Sequence, residues 1–232
     1  MVDWQDFLRH LIDGCFKICN NCDMKHHFKV HKFGFTLAEV LITLGIIGVV
    51  AALTIPTIVT KYRRQATETR LKKFYSVVNQ AIQMSIAEKG SITLEDQNNQ
   101  NATNSEYITN WYQQNITKYI KTLKDEAFND TYYKVSFVDG SGFSSYMNGT
   151  NKIYIFYCLN FDNCNGGSFD GKNTFLFTYD KTNQQIVPEF SHQDINSLKQ
   201  NCYNTNKQLR YGCAALIMKN NWKIPDDYPW IR

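Results

Sequence analysis

The sequence predicts an α+β chain: a long N-terminal helix, its first half membrane-spanning, packed against a small antiparallel β-sheet head. Three observations predict it. From Val40 to Val59 no residue carries a charge, and only threonines, glycines and Pro56 interrupt the apolar run. That run is about the length a helix needs to cross ~30 Å of hydrocarbon. Beyond it, Leu71, Phe74, Val78, Ile82 and Ile86 recur at spacings of three and four, the period of one helical face. Further on, short runs of aromatic and β-branched residues alternate with Asp139-Gly140, Asn148-Gly149 and Asp170-Gly171, which read as strands and turns.

Residues 1–34 read as a leader. Met1 and Met24 both offer a start, and the sequence leaves the two open. The shorter leader, Met24-Lys25-His26-His27-Phe28-Lys29-Val30-His31-Lys32-Phe33-Gly34, carries three lysines and no acid, a composition retained in the cytoplasm. Residues 35–60 form the transmembrane helix. Lys61, Arg63 and Arg64 follow it directly, so positive charge flanks both ends and the charge rule alone does not orient it. The later cysteines favour the N-terminus inside and the C-terminus outside.

Residues 61–90 continue the same helix as its soluble half. Lys61, Arg64, Glu68 and Lys72 are assigned to its solvated face, and Ala81 and Tyr75 lie beside the apolar stripe. Gly90 is the stop, since glycine takes the left-handed conformation just past a helix end. From Phe35 to Lys89 such a helix measures roughly 80 Å. Pro56 removes one backbone donor and is expected to kink or locally melt it. Gly45 and Gly48 permit close approach of neighbouring helices.

Residues 91–232 form the head. Ser91–Ser105 is a polar connector. A helix fits Glu106–Leu123, with Ser105 as its cap and Ile108, Trp111, Tyr112, Ile116, Tyr119, Ile120 and Leu123 on its apolar side. Strands are expected at Tyr132–Val138, Gly142–Met147, Lys152–Cys158 and Thr174–Tyr179. A short helix follows at Asn196–Tyr203, and a further segment at Gly212–Asn220 is pinned by Cys213. The whole chain has 14 Tyr, 15 Phe and 4 Trp, an aromatic content that points to a well-packed, β-rich head and a contact surface.

Cys158, Cys164, Cys202 and Cys213 lie after the membrane run, an even number that allows three pairings. Cys158–Cys164 and Cys202–Cys213, two short loops, form the simplest arrangement and the preferred one; four free buried thiols are the alternative. An oxidising compartment preserves such bonds.

The start of the apolar run carries the most specific pattern. Gly34-Phe35-Thr36-Leu37-Ala38-Glu39 resembles the cleavage and methylation signal of type IV prepilins and type II secretion pseudopilins. The resemblance covers about residues 25–60. It implies that a prepilin peptidase cuts between Gly34 and Phe35, that Phe35 becomes N-methylated, and that Glu39 is required for assembly. Pro56 also occupies a place where such proteins often carry a proline. The residues support this independently. Glycine leaves the scissile backbone accessible. The new Phe35 amine is a cation in apolar surroundings, and a carboxylate from a neighbouring subunit neutralises it, because two unpaired buried charges are each costly. An acid at the centre of a membrane helix costs roughly 2.5–3.5 kcal/mol on insertion scales, so even near the interface Glu39 asks for a partner.

The function implied is a structural subunit of a type IV pilus-like or type II secretion pseudopilus filament, assembled from the bacterial inner membrane. Its single-pass anchor leaves the C-terminal head extracytoplasmic, then on a cell-surface or periplasmic filament. Its partners are other copies or related subunits through the N-terminal helix, the prepilin peptidase and the inner membrane. The alternative is an uncleaved single-pass anchor with an extracytoplasmic binding head. The sequence does not separate major pilin, minor pilin, pseudopilin and competence pilin.

Other residue patterns point to different chemistries. Cys15, Cys19 and Cys22 have the spacing C-x3-C-x2-C, which resembles the cluster motif of radical SAM enzymes, but a membrane helix follows where those enzymes need a large barrel. A zinc reading adds His26, His27 and His31 at gaps shorter than finger spacing. Some pseudopilins hold calcium in a C-terminal loop, and Asp162, Asn165, Asp170 and Asn173 are candidate ligands here. Cys164 stands where an EF-hand needs an oxygen, and Asn, Asp and Gly gather in turns for backbone reasons alone. No cofactor is expected. His192 lies near Asp194 without a nucleophile, and there is no phosphate loop, so the chain is not expected to be an enzyme. A formal net charge of +4 is too mild to indicate nucleic acid.

Overall fold

The structure is a computed structural model that describes residues 36–94, 104–148, 152–164, 166–167 and 169–231. The Gly34–Phe35 bond, both candidate starts, Cys15, Cys19, Cys22 and the leader histidines lie outside the described residues. The chain divides into two units after Val50.

Helix α1 runs from Leu37 to Lys89 and passes through Pro56 without a break. Pro56 lacks the N–H that the carbonyl one turn back would accept, yet the helix persists, with the Thr60 hydroxyl donating to the Pro56 carbonyl at 2.9 Å. Gly90 ends it at φ 92°, its N–H closing the last turn on the Ile86 carbonyl at 2.8 Å. Leu71, Phe74, Val78, Ala81 and Ile82 are buried, and each of the four larger side chains contributes roughly 1.5–3 kcal/mol.

Helix α2 spans Asn104–Asn115. It starts two residues before the expected Glu106, with Ser105 inside it and buried, and it ends eight before Leu123. The reason is tertiary. Asn104 pairs through its side chain with both backbone groups of Met147, accepting from its N–H at 3.1 Å and donating to its carbonyl. After a 3-10 turn at Thr117–Tyr119, the Leu123 N–H donates to the Ser136 carbonyl at 2.8 Å and opens a strand. Leu123, placed by periodicity on an apolar side, is 70% exposed.

The strands are β1 Lys124–Phe128, β2 Tyr132–Ser136, β3 Gly142–Asn148, β4 Lys152–Cys158, β5 Thr174–Asp180 and β6 Gln185–Pro188. They form one antiparallel sheet in the order β1-β2-β3-β4-β5-β6, a plain meander. The sequence reading missed β1, which is charged, and β6, which has four residues and ends in proline. Alternation sorts the residues onto two faces. Tyr133, Val135, Phe143, Ile155, Tyr157, Phe175 and Phe177 join the core with α1 and α2. Phe74 is central: its ring stacks on Tyr157 at 4.3 Å and meets Phe177 edge-on at 5.1 Å. On the other face Phe156, Phe169 and Leu176 form a second cluster with Tyr132, Tyr146, Tyr154 and Tyr211.

Helices α3, Ile195–Cys202, and α4, Cys213–Lys219, complete the head. Asp194 caps α3, accepting from the N–H groups of Asn196 and Ser197. That role occupies the acid that lies near His192 in sequence.

Candidate assembly site

Thr36 and Glu39 form a reciprocal pair at the start of α1. The Thr36 N–H and hydroxyl both donate to Glu39 Oε2 at 2.8 Å. The Glu39 N–H donates back to Thr36 Oγ1 at 3.2 Å. This is a capping box: each residue satisfies a donor that the first helical turn leaves without a partner. The spacing Thr-x-x-Glu is the sequence signal of this box, and it gives Thr36 a role that the assembly resemblance, which concerns Glu39 alone, does not.

Behind the cap, Leu41, Ile42, Leu44, Ile46, Ile47 and Val49 are each exposed by 60% or more, and they point to every side of the helix. A helix apolar all round has no stable surface in water. The described chain thus contains one helix long and apolar enough to cross a membrane. Neither Gly45 nor Gly48 has anything within 4 Å of a Cβ placed on it, so both remain open to a neighbour.

The basic residues after the membrane run do not share one fate. Arg64, expected on a solvated face, donates to the carbonyls of Ile224 and Pro225 at 2.8 and 2.7 Å. Glu68 accepts from Lys223 Nζ and the Ile224 N–H, both at 2.9 Å. The closing segment of the chain docks here, which helical periodicity had no means to reveal. Arg70 donates to the Leu159 carbonyl at 3.0 Å, and Lys73 pairs with Asp139 at 2.8 Å. Both line a hollow of about 390 Å³ floored by Phe74 and Tyr157.

Disulfides join Cys158 to Cys164 and Cys202 to Cys213. Arg210, 5% exposed, gathers the loop between them. It donates to the carbonyls of Asn204, Asp170 and Thr205 at 2.8, 2.9 and 3.2 Å, and its guanidinium lies 3.2 Å from the centre of the Trp230 ring. No sequence pattern singled this arginine out.

Of the calcium candidates, Asn165 lies outside the described residues. Asp170 accepts from the N–H groups of Lys172, Asn173 and Thr174 and from the Asn173 side-chain amide, at 2.7–3.0 Å. Burial pushes its carboxyl up, but these donors outweigh burial and hold it below the ordinary value. Its oxygens are thus occupied in closing their own loop. No group of three or more metal-ligating His, Cys, Asp or Glu side chains occurs among the described residues.

Residues 57–231 match a family of unknown function (DUF6613), which covers most of the chain. The chain belongs to this family. Residues 30–55 match the prokaryotic N-terminal methylation motif, the prepilin-type cleavage and methylation signal, and the Thr36–Glu39 cap falls inside it. No curated protein and no solved structure matches the chain. This family member is a type IV pilin- or pseudopilin-like protein, with a methylation motif, a membrane-capable helix and a disulfide-bonded α+β head.

Proposed function

We propose that the chain is a structural subunit of a type IV pilus-like or type II secretion pseudopilus filament, with its head extracytoplasmic. Prepilin peptidase cuts Gly34–Phe35 and Phe35 is N-methylated. The subunit then leaves the inner membrane by packing its apolar helix against other copies or related subunits. The observation that carries this reading is the methylation motif placed at the mouth of a helix with apolar residues exposed on every side. Such a surface requires lipid before assembly and neighbouring helices after it.

Glu39 then has two successive partners. In the single subunit it caps α1 through Thr36. In the filament it faces the Phe35 amine of the next subunit, a charged donor that competes with neutral ones because charge-assisted hydrogen bonds are roughly twice as strong. Pairing at that point sets the axial register.

The test is intact-mass and N-terminal analysis of the membrane-extracted protein from its own host. A chain that begins at Phe35 and is heavier by one methyl group is the expected result. A chain still carrying Lys25–Gly34 overturns it and leaves an uncleaved anchor with a binding head.

A further inference from the structure

The outward face of the sheet carries a cleft of about 720 Å³, within the roughly 300–1,000 Å³ of small-ligand sites. Its floor is built by strand register. Tyr146 pairs across strands with Tyr154, and Phe156 with Leu176. Tyr146 stacks with Tyr154 and Phe156 at 5.5 and 5.9 Å, Phe156 with Phe169 at 6.0 Å, and Tyr211 lies 4.5 Å from Phe169.

Polar groups converge on these aromatic walls. Glu189 is 5% exposed. Its Oε1 pairs with Lys152 Nζ at 2.6 Å, and its Oε2 has no hydrogen-bond partner among the described residues. A buried acceptor without a donor costs about 1–3 kcal/mol; the oxygen is covered in the unliganded chain, so a donor from the cleft removes that cost once the side chains over it shift. Asn148 and Gln208 add amides to the lining. Lys152 and Glu189 are the charged residues of the described lining, and they neutralise each other.

The backbone beside Glu189 is strained. Phe190 sits at φ 62°, in the third position of a turn closed by the Ser191 N–H on the Pro188 carbonyl at 3.1 Å. That position favours glycine, and a bulky residue there is an outlier that clusters at functional sites. The turn holds the Phe190 ring at the cleft, edge-on to Tyr211 at 5.8 Å.

We propose that this cleft binds a neutral, β-linked, gluco-configured oligosaccharide. Equatorial hydroxyls and equatorial β-linkages leave the faces of each pyranose ring apolar, which suits aromatic walls, and place donors at its rim, which suit the amides and, once its cover shifts, the Glu189 carboxylate. A lining without net charge favours a ligand without charge. The site lies wholly on the head and does not rest on the filament reading.

The experiment is calorimetric titration of the full chain, held in a detergent without a sugar headgroup, with cellotetraose. Saturable binding is expected, weakened about tenfold or more in Glu189→Ala and Tyr154→Ala. Phe190→Gly guards against misfolding, because glycine is at ease in the turn; it keeps the near-ultraviolet circular dichroism of the head and still weakens binding. Two results overturn the proposal. One is no binding by the folded chain; if Tyr154→Ala then also loses subunits from filaments, the face belongs to a neighbouring subunit. The other is binding that all three variants retain.

Discussion

At the scale of single residues, Glu39 does two jobs that substitution separates. Glutamine at the same place still reaches the Thr36 N–H, since Gln serves as well as Glu in a capping box, but it brings no charge. Glu39→Gln is therefore expected to preserve helicity in micelles while filament recovery falls. Glu39→Ala also loses the acceptor of the Thr36 N–H and hydroxyl, the carboxylate half of the capping box. The N–H at position 39 still reaches Thr36 Oγ1, so the helix loses less than the roughly 1 kcal/mol of a lost N-cap. Far-ultraviolet circular dichroism and immunoblots of sheared filaments read the two effects; full filament yield from Glu39→Gln would remove charge pairing from the mechanism. Asp139 offers a second test. Burial pushes its carboxyl up, but the Lys73 ammonium and the Ser141 hydroxyl and N–H outweigh burial and bring it from 3.8 to about 2. A folded value below the unfolded one gives stability that is present above about pH 4 and lost as pH falls through about 2. Denaturation midpoints between those limits are expected to drop for the natural chain and to stay flatter for Asp139→Asn.

At the scale of elements, the contact of α1 with the sheet depends on Phe74. Phe74→Ala removes the ring that touches Tyr157, Phe143 and Phe177, and a loss of about 3–5 kcal/mol is expected, measured by chemical denaturation of the detergent-held chain. The Cys202–Cys213 bridge ties α3 to α4 across a short loop. Replacing both cysteines by serine is expected to cost about 2–3 kcal/mol. A midpoint that does not move relative to the oxidised chain would show that Arg210 and Trp230 hold the loop by themselves.

At the scale of the whole molecule, the chain combines an exposed apolar run with a head whose core includes the later part of the same helix. Processing and assembly are expected to be separable. A Gly34→Trp variant should accumulate unprocessed in the membrane with its disulfides intact and contribute nothing to filaments, as mass analysis and shearing would read. Formation of normal filaments by that variant would detach assembly from the cut.

By itself the sequence determined the elements whose cause is local. The apolar run, the stripe from Leu71 to Ile82, the stop at Gly90 and the four strands bounded by glycine turns each follow from periodicity or a backbone preference. Tertiary structure decided what periodicity does not encode. It ended α2 at Asn115, because Leu123 hydrogen-bonds to Ser136 across the chain. It recruited charged β1 and short β6, whose pairing comes from neighbouring strands rather than their own propensity. It turned Arg64 and Glu68 from solvent towards carbonyls and an N–H some 160 residues later. It also brought Tyr146, Glu189 and Tyr211 to one cleft, since residues so far apart in sequence meet only when the sheet has formed.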